Sequence, residues 1–269
     1  MYRGFNLEIK AKGGGYFLEV GKKIFENQKR KIELNFEKYF IAENTLSAKL
    51  IMEDWFPIIN SHVFLSHSHN DFNLALTIAG ALKEKFNIDT FIDSTIWGNS
   101  NELLKKIDDK YCYNENSSTY IYENRNYSTT HVHLMLMSAL TNMINQSECL
   151  FFLNTPKSTS ISEEIKNTTN SPWIFAELNT SKVINKITPE RLLLFKRTYS
   201  DSLTKAETLN ESENKKFEIS YELELSHLET ISENSFDDWL GNNYLMHPEK
   251  ALDDLYRSFP INKKFTKLF

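Results

Sequence analysis

HVFLSHSHNDFNLALTIAGALKEKFNIDTFI, residues 62–92, decides the fold class. His62 to Ser66 is a short apolar run that ends in small polar residues. Phe72 to Phe86 carries apolar residues at helical spacing behind Asn70 and Asp71, either of which can begin a helix, and Ile88 to Ile92 is a second short apolar run. Strand, helix and strand in this order form a βαβ unit. Such a unit needs a crossover connection, and the crossover implies a parallel sheet.

Downstream, a polar stretch rich in aromatics runs from Trp97 to Thr130, and an apolar helix from Val132 to Ile144 leads into a strand at Cys149 to Leu153. A polar loop, 154–170, precedes a helix opening at Ser171-Pro172-Trp173, where serine as N-cap and proline at the first helical position are a start signal. Arg191 to Phe195 and Phe217 to Leu225 read as two further strands. Upstream, Phe5, Leu7 and Ile9, then Tyr16, Leu18 and Val20, alternate around Lys12 to Gly15 as a hairpin would, and residues 22–56 turn to helical spacing. The expected organisation is an N-terminal hairpin and helical appendage at 1–60 and an α/β domain at 61–230 with enlarged loops at 94–130 and 154–170. A helical C-terminal extension at 231–269, with Trp239, Leu252, Leu255 and Phe259, packs on that domain.

Composition narrows the functions. Of 269 residues only 8 are glycine, against roughly 19 at average usage, and five of them fall within the first 21 positions. Neither a GxGxxG dinucleotide fingerprint nor a GxxxxGK[ST] phosphate loop can be built. Lys+Arg 31 against Asp+Glu 36 gives a net charge of -5, which argues against a general binder of nucleic acid. Two cysteines, Cys112 and Cys149, make neither a CxxC pair nor a disulfide framework, as expected in a reducing cytoplasm. No run of 18 apolar residues suggests a membrane span.

In open parallel sheets ligands bind at the carboxyl ends of the strands. The polar residues expected there are Ser66, His67 and Ser68 after the first strand of the unit, Asp93 after the second, and Asn154 after the third. Phe64-Leu65-Ser66-His67-Ser68-His69-Asn70-Asp71 resembles the first box of TIR (Toll/interleukin-1 receptor-like) domains. Phe91-Ile92-Asp93 resembles the end of their second strand, and Ser171-Pro172-Trp173-Ile174-Phe175-Ala176-Glu177-Leu178 is similar to their S-x-W-x-x-x-E-L segment. The three occur in the family's order across roughly 61–230.

The resemblance implies a flavodoxin-like five-stranded parallel sheet and a bacterial-type enzyme that cleaves the nicotinamide–ribose bond of NAD+. The product is ADP-ribose or a cyclic or modified ADP-ribose signal, as in Thoeris-type antiphage defence, where a separate effector protein senses the signal. NAD+ is then the substrate, with no further cofactor, and the protein self-associates through TIR contacts. Glu177 matches the family's catalytic glutamate, and Ser66, His67, Ser68, Asp93, Trp97 and Trp173 are expected to hold substrate. An ionised carboxylate suits this chemistry, because departure of neutral nicotinamide leaves oxocarbenium character on the ribose. Trp173, one turn before Glu177, can stack on the cationic ring. Two other readings stand beside this one: a non-enzymatic TIR interaction module, and an enzyme resembling nucleoside deoxyribosyltransferases. His67/His69 and His131/His133 form HxH pairs that would share a strand face and suggest a metal site, although no acidic ligand accompanies them. Gly98 is expected to let the 94–130 loop hinge over the cleft.

Overall fold

A computed structural model describes residues 1–10, 15–28, 36–43, 45–159, 168–193, 219–242 and 247–261, with Phe36, Thr95 and Trp97 placed by backbone alone. Five strands, β1 (Arg3–Glu8), β2 (Val63–Ser66), β3 (Thr90–Ile92), β4 (Cys149–Leu153) and β5 (Glu229–Ser232), pair in parallel in the order β5-β1-β4-β2-β3. Counting β1 fourth recovers the flavodoxin-type order 2-1-3-4-5, so the fold is an α/β sheet compatible with that class. The N-terminal residues are therefore not an appendage. Phe5 and Leu7 alternate as read, but Arg3–Glu8 lies between β4 and β5 rather than in a hairpin, Tyr16, Leu18 and Val20 lie in a helix rather than a second strand, and of the expected turn at Lys12 to Gly15 only Gly15 is among the described residues. Alternation reveals a strand without revealing its partner.

The helices are α1 (Tyr16–Gln28), α2 (Ala48–Trp55), α3 (Phe72–Phe86), α4 (Ser94–Tyr111), α5 (Tyr122–Gln146), α6 (Pro172–Val183), the short α7 (Glu190–Leu193), α8 (Glu233–Gly241) and α9 (Pro248–Ser258). On one face of the sheet Phe5, Leu7, Val63, Leu65, Phe151 and Ile231 pack against α3, α8 and α9. On the other Phe64, Phe91, Leu150 and Phe152 meet α2, α4, α5 and α6. Covering both faces explains why β4 reads as an uninterrupted apolar run. Helix α1 lies so close to α3 that a Cβ on Gly21 would overlap the Leu76 carbonyl, and one on Gly80 the Phe17 carbonyl. Two of the scarce glycines are thus spent on a helix crossing.

Four more expectations need correction. Residues 94–130 are not an enlarged loop but α4, a small antiparallel ribbon (Tyr113–Asn114 with Thr119–Tyr120) and the first turns of α5. Gly98 is an exposed residue inside α4, not a hinge. Arg191 lies in α7 rather than in a strand; residues 194 and 195 are outside the described set. Of the described residues 219–225, only Tyr221–Glu222 forms a strand, paired with Thr168–Thr169 away from the main sheet; residues 217 and 218 lie outside the described set, and the fifth strand of the sheet is Glu229–Ser232. Among the described residues no helix is long and apolar enough to cross a membrane.

Candidate active site

Two features of the main chain bring the polar residues together. The β2–β3 register sets Leu65 opposite Ile92, so Asp93, the next residue, stands level with Ser66 and His67. Along β2 the side chains alternate, so Ser66 follows Phe64 onto the face covered by α6. Helix α6 is placed by its own start signal: Ser171 accepts a hydrogen bond from the Ile174 amide at 3.3 Å, with Pro172 at the first position. Glu177, in the second turn, then meets the strand ends.

Ser66 Oγ donates to Glu177 Oε2 at 2.6 Å. The Asp93 carboxylate takes His67 from two sides, with Oδ1 at 2.7 Å from the ring Nδ1 and Oδ2 accepting from the backbone amide at 3.4 Å. Ser66, His67, Asp93 and Glu177 are all 0% exposed. Burial pushes the Glu177 carboxyl well above the ordinary glutamate value, the adjacent Asp93 carboxylate adds to the rise, and the Ser66 hydroxyl offsets it only in part. Burial alone would lower the His67 pKa, but attraction to Asp93 and their hydrogen bond outweigh it, and the ring is held above its ordinary value.

The arrangement therefore sets a Glu177 carboxyl, whose ionisation burial and Asp93 both disfavour, against an Asp93–His67 pair. Glu177 Oε1 is buried and finds no donor among the described residues. A proton on Glu177, facing Asp93, satisfies both oxygens at once. Chemically this is a pair of carboxyl groups flanked by an imidazole and a hydroxyl.

Compared with protein-family models, with curated proteins and with solved structures, the chain matches none.

Of the residues singled out in the sequence, Ser66, His67, Asp93 and Glu177 share this cluster. Ser68 stands just outside it, accepting from the Asn70 amide at 3.3 Å as the cap of a single turn that precedes α3. Trp173 packs edge-on against His133 of α5, with ring centroids 5.2 Å apart, rather than over Glu177. The side chain of Trp97 lies outside the described residues. His69 is exposed while His67 is buried on Asp93, so the two do not converge on one ion. Asp71 makes no cap hydrogen bond to α3; its carboxylate instead accepts from Thr155 Oγ1 at 2.5 Å, with Lys157 Nζ 3.7 Å away. That tie from the start of α3 to the loop after β4 had no sequence signal, since 84 residues separate its partners.

Two surface cavities, of about 290 and 200 Å³, contain none of the four cluster residues. One lies among α1, α3 and α8 at Phe17, Lys85 and Phe236, and the other beside Asp108, Tyr120 and Arg125. The cluster is closed in the conformation described.

Proposed function

We propose that this protein is a TIR-type NAD+ nucleosidase that breaks the nicotinamide–ribose bond, with Glu177 as its catalytic carboxyl. The observation that carries the reading is the meeting of Glu177 with Ser66 at the carboxyl ends of the parallel strands, beside Asp93 and His67. A buried carboxyl with a raised pKa at the carboxyl ends of parallel strands is a candidate for chemistry rather than solvation. The closed cluster is the resting state in this reading. Substrate requires this closed cluster to open, and the cationic nicotinamide ring then favours the ionised carboxyl by direct attraction. The carboxylate stabilises or traps the ribosyl cation as nicotinamide leaves. Release of ADP-ribose, or of a cyclic or modified form sensed by a separate effector, fits a role in bacterial antiphage defence.

One observation favours a second reading. The raised pKa of Glu177, caused by its burial and by the adjacent Asp93, suits an N-glycoside whose base needs protonation to leave, as in the nucleoside deoxyribosyltransferase-like alternative. A panel of NAD+, purine nucleosides and purine deoxynucleosides, followed by chromatography, separates the two. Nicotinamide release with the nucleosides intact supports the nucleosidase; free base from nucleosides with NAD+ intact replaces it with the second reading.

A further inference from the structure

The amino-terminal strand brings further polar side chains to the carboxyl end of the sheet. Phe5 and Leu7 of β1 face α3, α8 and α9, so Asn6 between them points to the opposite side, the one that carries Phe152 and Ser66. The register sets Asn6 opposite Thr230 of β5 and Phe152 of β4, and Phe152 in turn opposite Ser66 of β2. Thr230, Asn6, Phe152 and Ser66 therefore form one row across the sheet. Glu8 stands one step nearer the strand ends on the same face as Asn6, and two strand spacings separate Asn6 from Ser66 by about 10 Å.

Asn6 is only 4% exposed, yet Glu8 and Thr230 beside it are exposed, so its amide is the floor of a polar shelf that opens to solvent. Its Nδ2 donates to Thr230 Oγ1 at 3.3 Å and to Glu8 Oε1 at 3.5 Å. Its Oδ1 is buried and has no donor among the described residues. Exchanging the two amide atoms would turn the oxygen toward the Glu8 carboxylate, so the neighbours fix the orientation. A buried amide oxygen without a donor is costly, and an apolar residue would fill this strand position without that cost. The shelf thus offers two adjacent acceptors, the Asn6 carbonyl oxygen and the Glu8 carboxylate.

We propose that this shelf holds the vicinal hydroxyls of a ribose, the adenosine ribose of an NAD+ molecule whose nicotinamide ribose lies at Ser66 and Glu177. Two neighbouring hydroxyl donors match two neighbouring acceptors, and the Glu8 charge would repel a phosphate in their place. An acidic side chain near a strand end is a general means of binding ribose hydroxyls. The spacing agrees, since the extended pyrophosphate that joins the two riboses bridges a separation of the same order as the one between Asn6 and Ser66. The identity of this ligand rests on the nucleosidase reading, whereas the shelf itself contains no residue of the Glu177 cluster.

The experiment is isothermal titration calorimetry of the full chain carrying Glu177→Gln, which limits turnover, with NAD+ and with the NAD+ analogue whose adenosine ribose lacks both hydroxyls. Asn6→Leu and the exposed Glu8→Ala are added singly, and circular dichroism confirms that each protein is folded. With the shelf intact, NAD+ should bind about tenfold more tightly than the analogue, as expected for a hydrogen bond to an otherwise unpaired buried acceptor. Each added substitution should weaken NAD+ toward the analogue and leave the analogue unchanged. Equal affinity for the two ligands with the shelf intact, equal weakening of both by the substitutions, or binding of neither overturns the proposal. Nicotinamide release by the wild type is read separately. Release with NAD+ and analogue bound alike keeps the nucleosidase and removes the shelf; hydroxyl-dependent binding without release keeps the shelf and removes the nucleosidase.

Discussion

Replacing Glu177 by glutamine should make the protein relatively more stable as the pH rises. Glutamine keeps the shape of a protonated glutamate: its carbonyl accepts from the Ser66 hydroxyl, and its amide donates toward Asp93, as the acid proton does. The wild type differs in one respect. Its carboxyl ionises near 4.5 in the unfolded chain but well above that when buried, so above pH 4.5 the folded state holds a proton that the unfolded state has released. Stability from this group is complete below 4.5 and is lost as pH rises toward the folded value, at about 1.4 kcal/mol per pH unit. The variant has no such proton, and the Asp93–His67 pair is present in both proteins and cancels. Urea denaturation of both proteins from pH 5 to 8 reads the difference directly. The free energy of Glu177→Gln minus that of the wild type should climb with pH at up to that slope and flatten at the folded pKa. A difference that stays constant or falls would mean Glu177 is ionised in the native protein, and the neutral-carboxyl account would be wrong.

Other perturbations have defined outcomes. Burial, then repulsion from Lys186 and Lys182, lowers the His227 pKa from 6.5 to about 4, so its share of stability is present above 6.5 and lost as pH falls through 4. Because the ring is partly exposed, that loss is about 1–2 kcal/mol after solvent screening, and urea midpoints at pH 4 and 7 should show it in the wild type but not in His227→Gln. Gly80→Val should destabilise by about 3 kcal/mol or more, since its Cβ meets the Phe17 backbone, and a thermal midpoint within a degree of the wild type would refute the close crossing. At Gly98, where a Cβ meets nothing within 4 Å, alanine should stabilise by about 0.5–1 kcal/mol and proline should cost about 3 kcal/mol by breaking α4. Equal thermal midpoints for the two would contradict a helical Gly98.

Features held within one stretch of chain were legible. The 3.6 period of Phe72–Phe86, the apolar run Cys149–Leu153 and the Ser171-Pro172 start signal each carry their own boundary, and the structure places helix, strand and helix there. The strand-end rule and the box around Ser66 picked out Ser66, His67 and Asp93, the S-x-W-x-x-x-E-L segment picked out Glu177, and the four converge across more than a hundred positions. What escaped depended on partners elsewhere. Phe5 and Leu7 signal a strand, but only tertiary pairing places it between two distant strands, and the apparent alternation of Tyr16, Leu18 and Val20 belongs to a helix. Residues 94–130 looked like a loop because their polar and aromatic residues hide the period of α4 and α5, which bury only part of their circumference on the sheet. Trp173 shares a helix face with Glu177, as spacing required, yet its ring turns to His133, a choice set by the neighbouring helix.

The claim that Glu177 is the catalytic carboxyl of a glycosidic cleavage is tested most directly by incubating the wild type and folded Glu177→Gln with NAD+ and following nicotinamide and the ribosyl product by mass spectrometry. The account predicts equimolar nicotinamide and an ADP-ribose-derived product from the wild type, and a rate at least a hundredfold lower from the variant, about 2.7 kcal/mol of lost transition-state stabilisation. Nicotinamide released at the same rate by both proteins would contradict it.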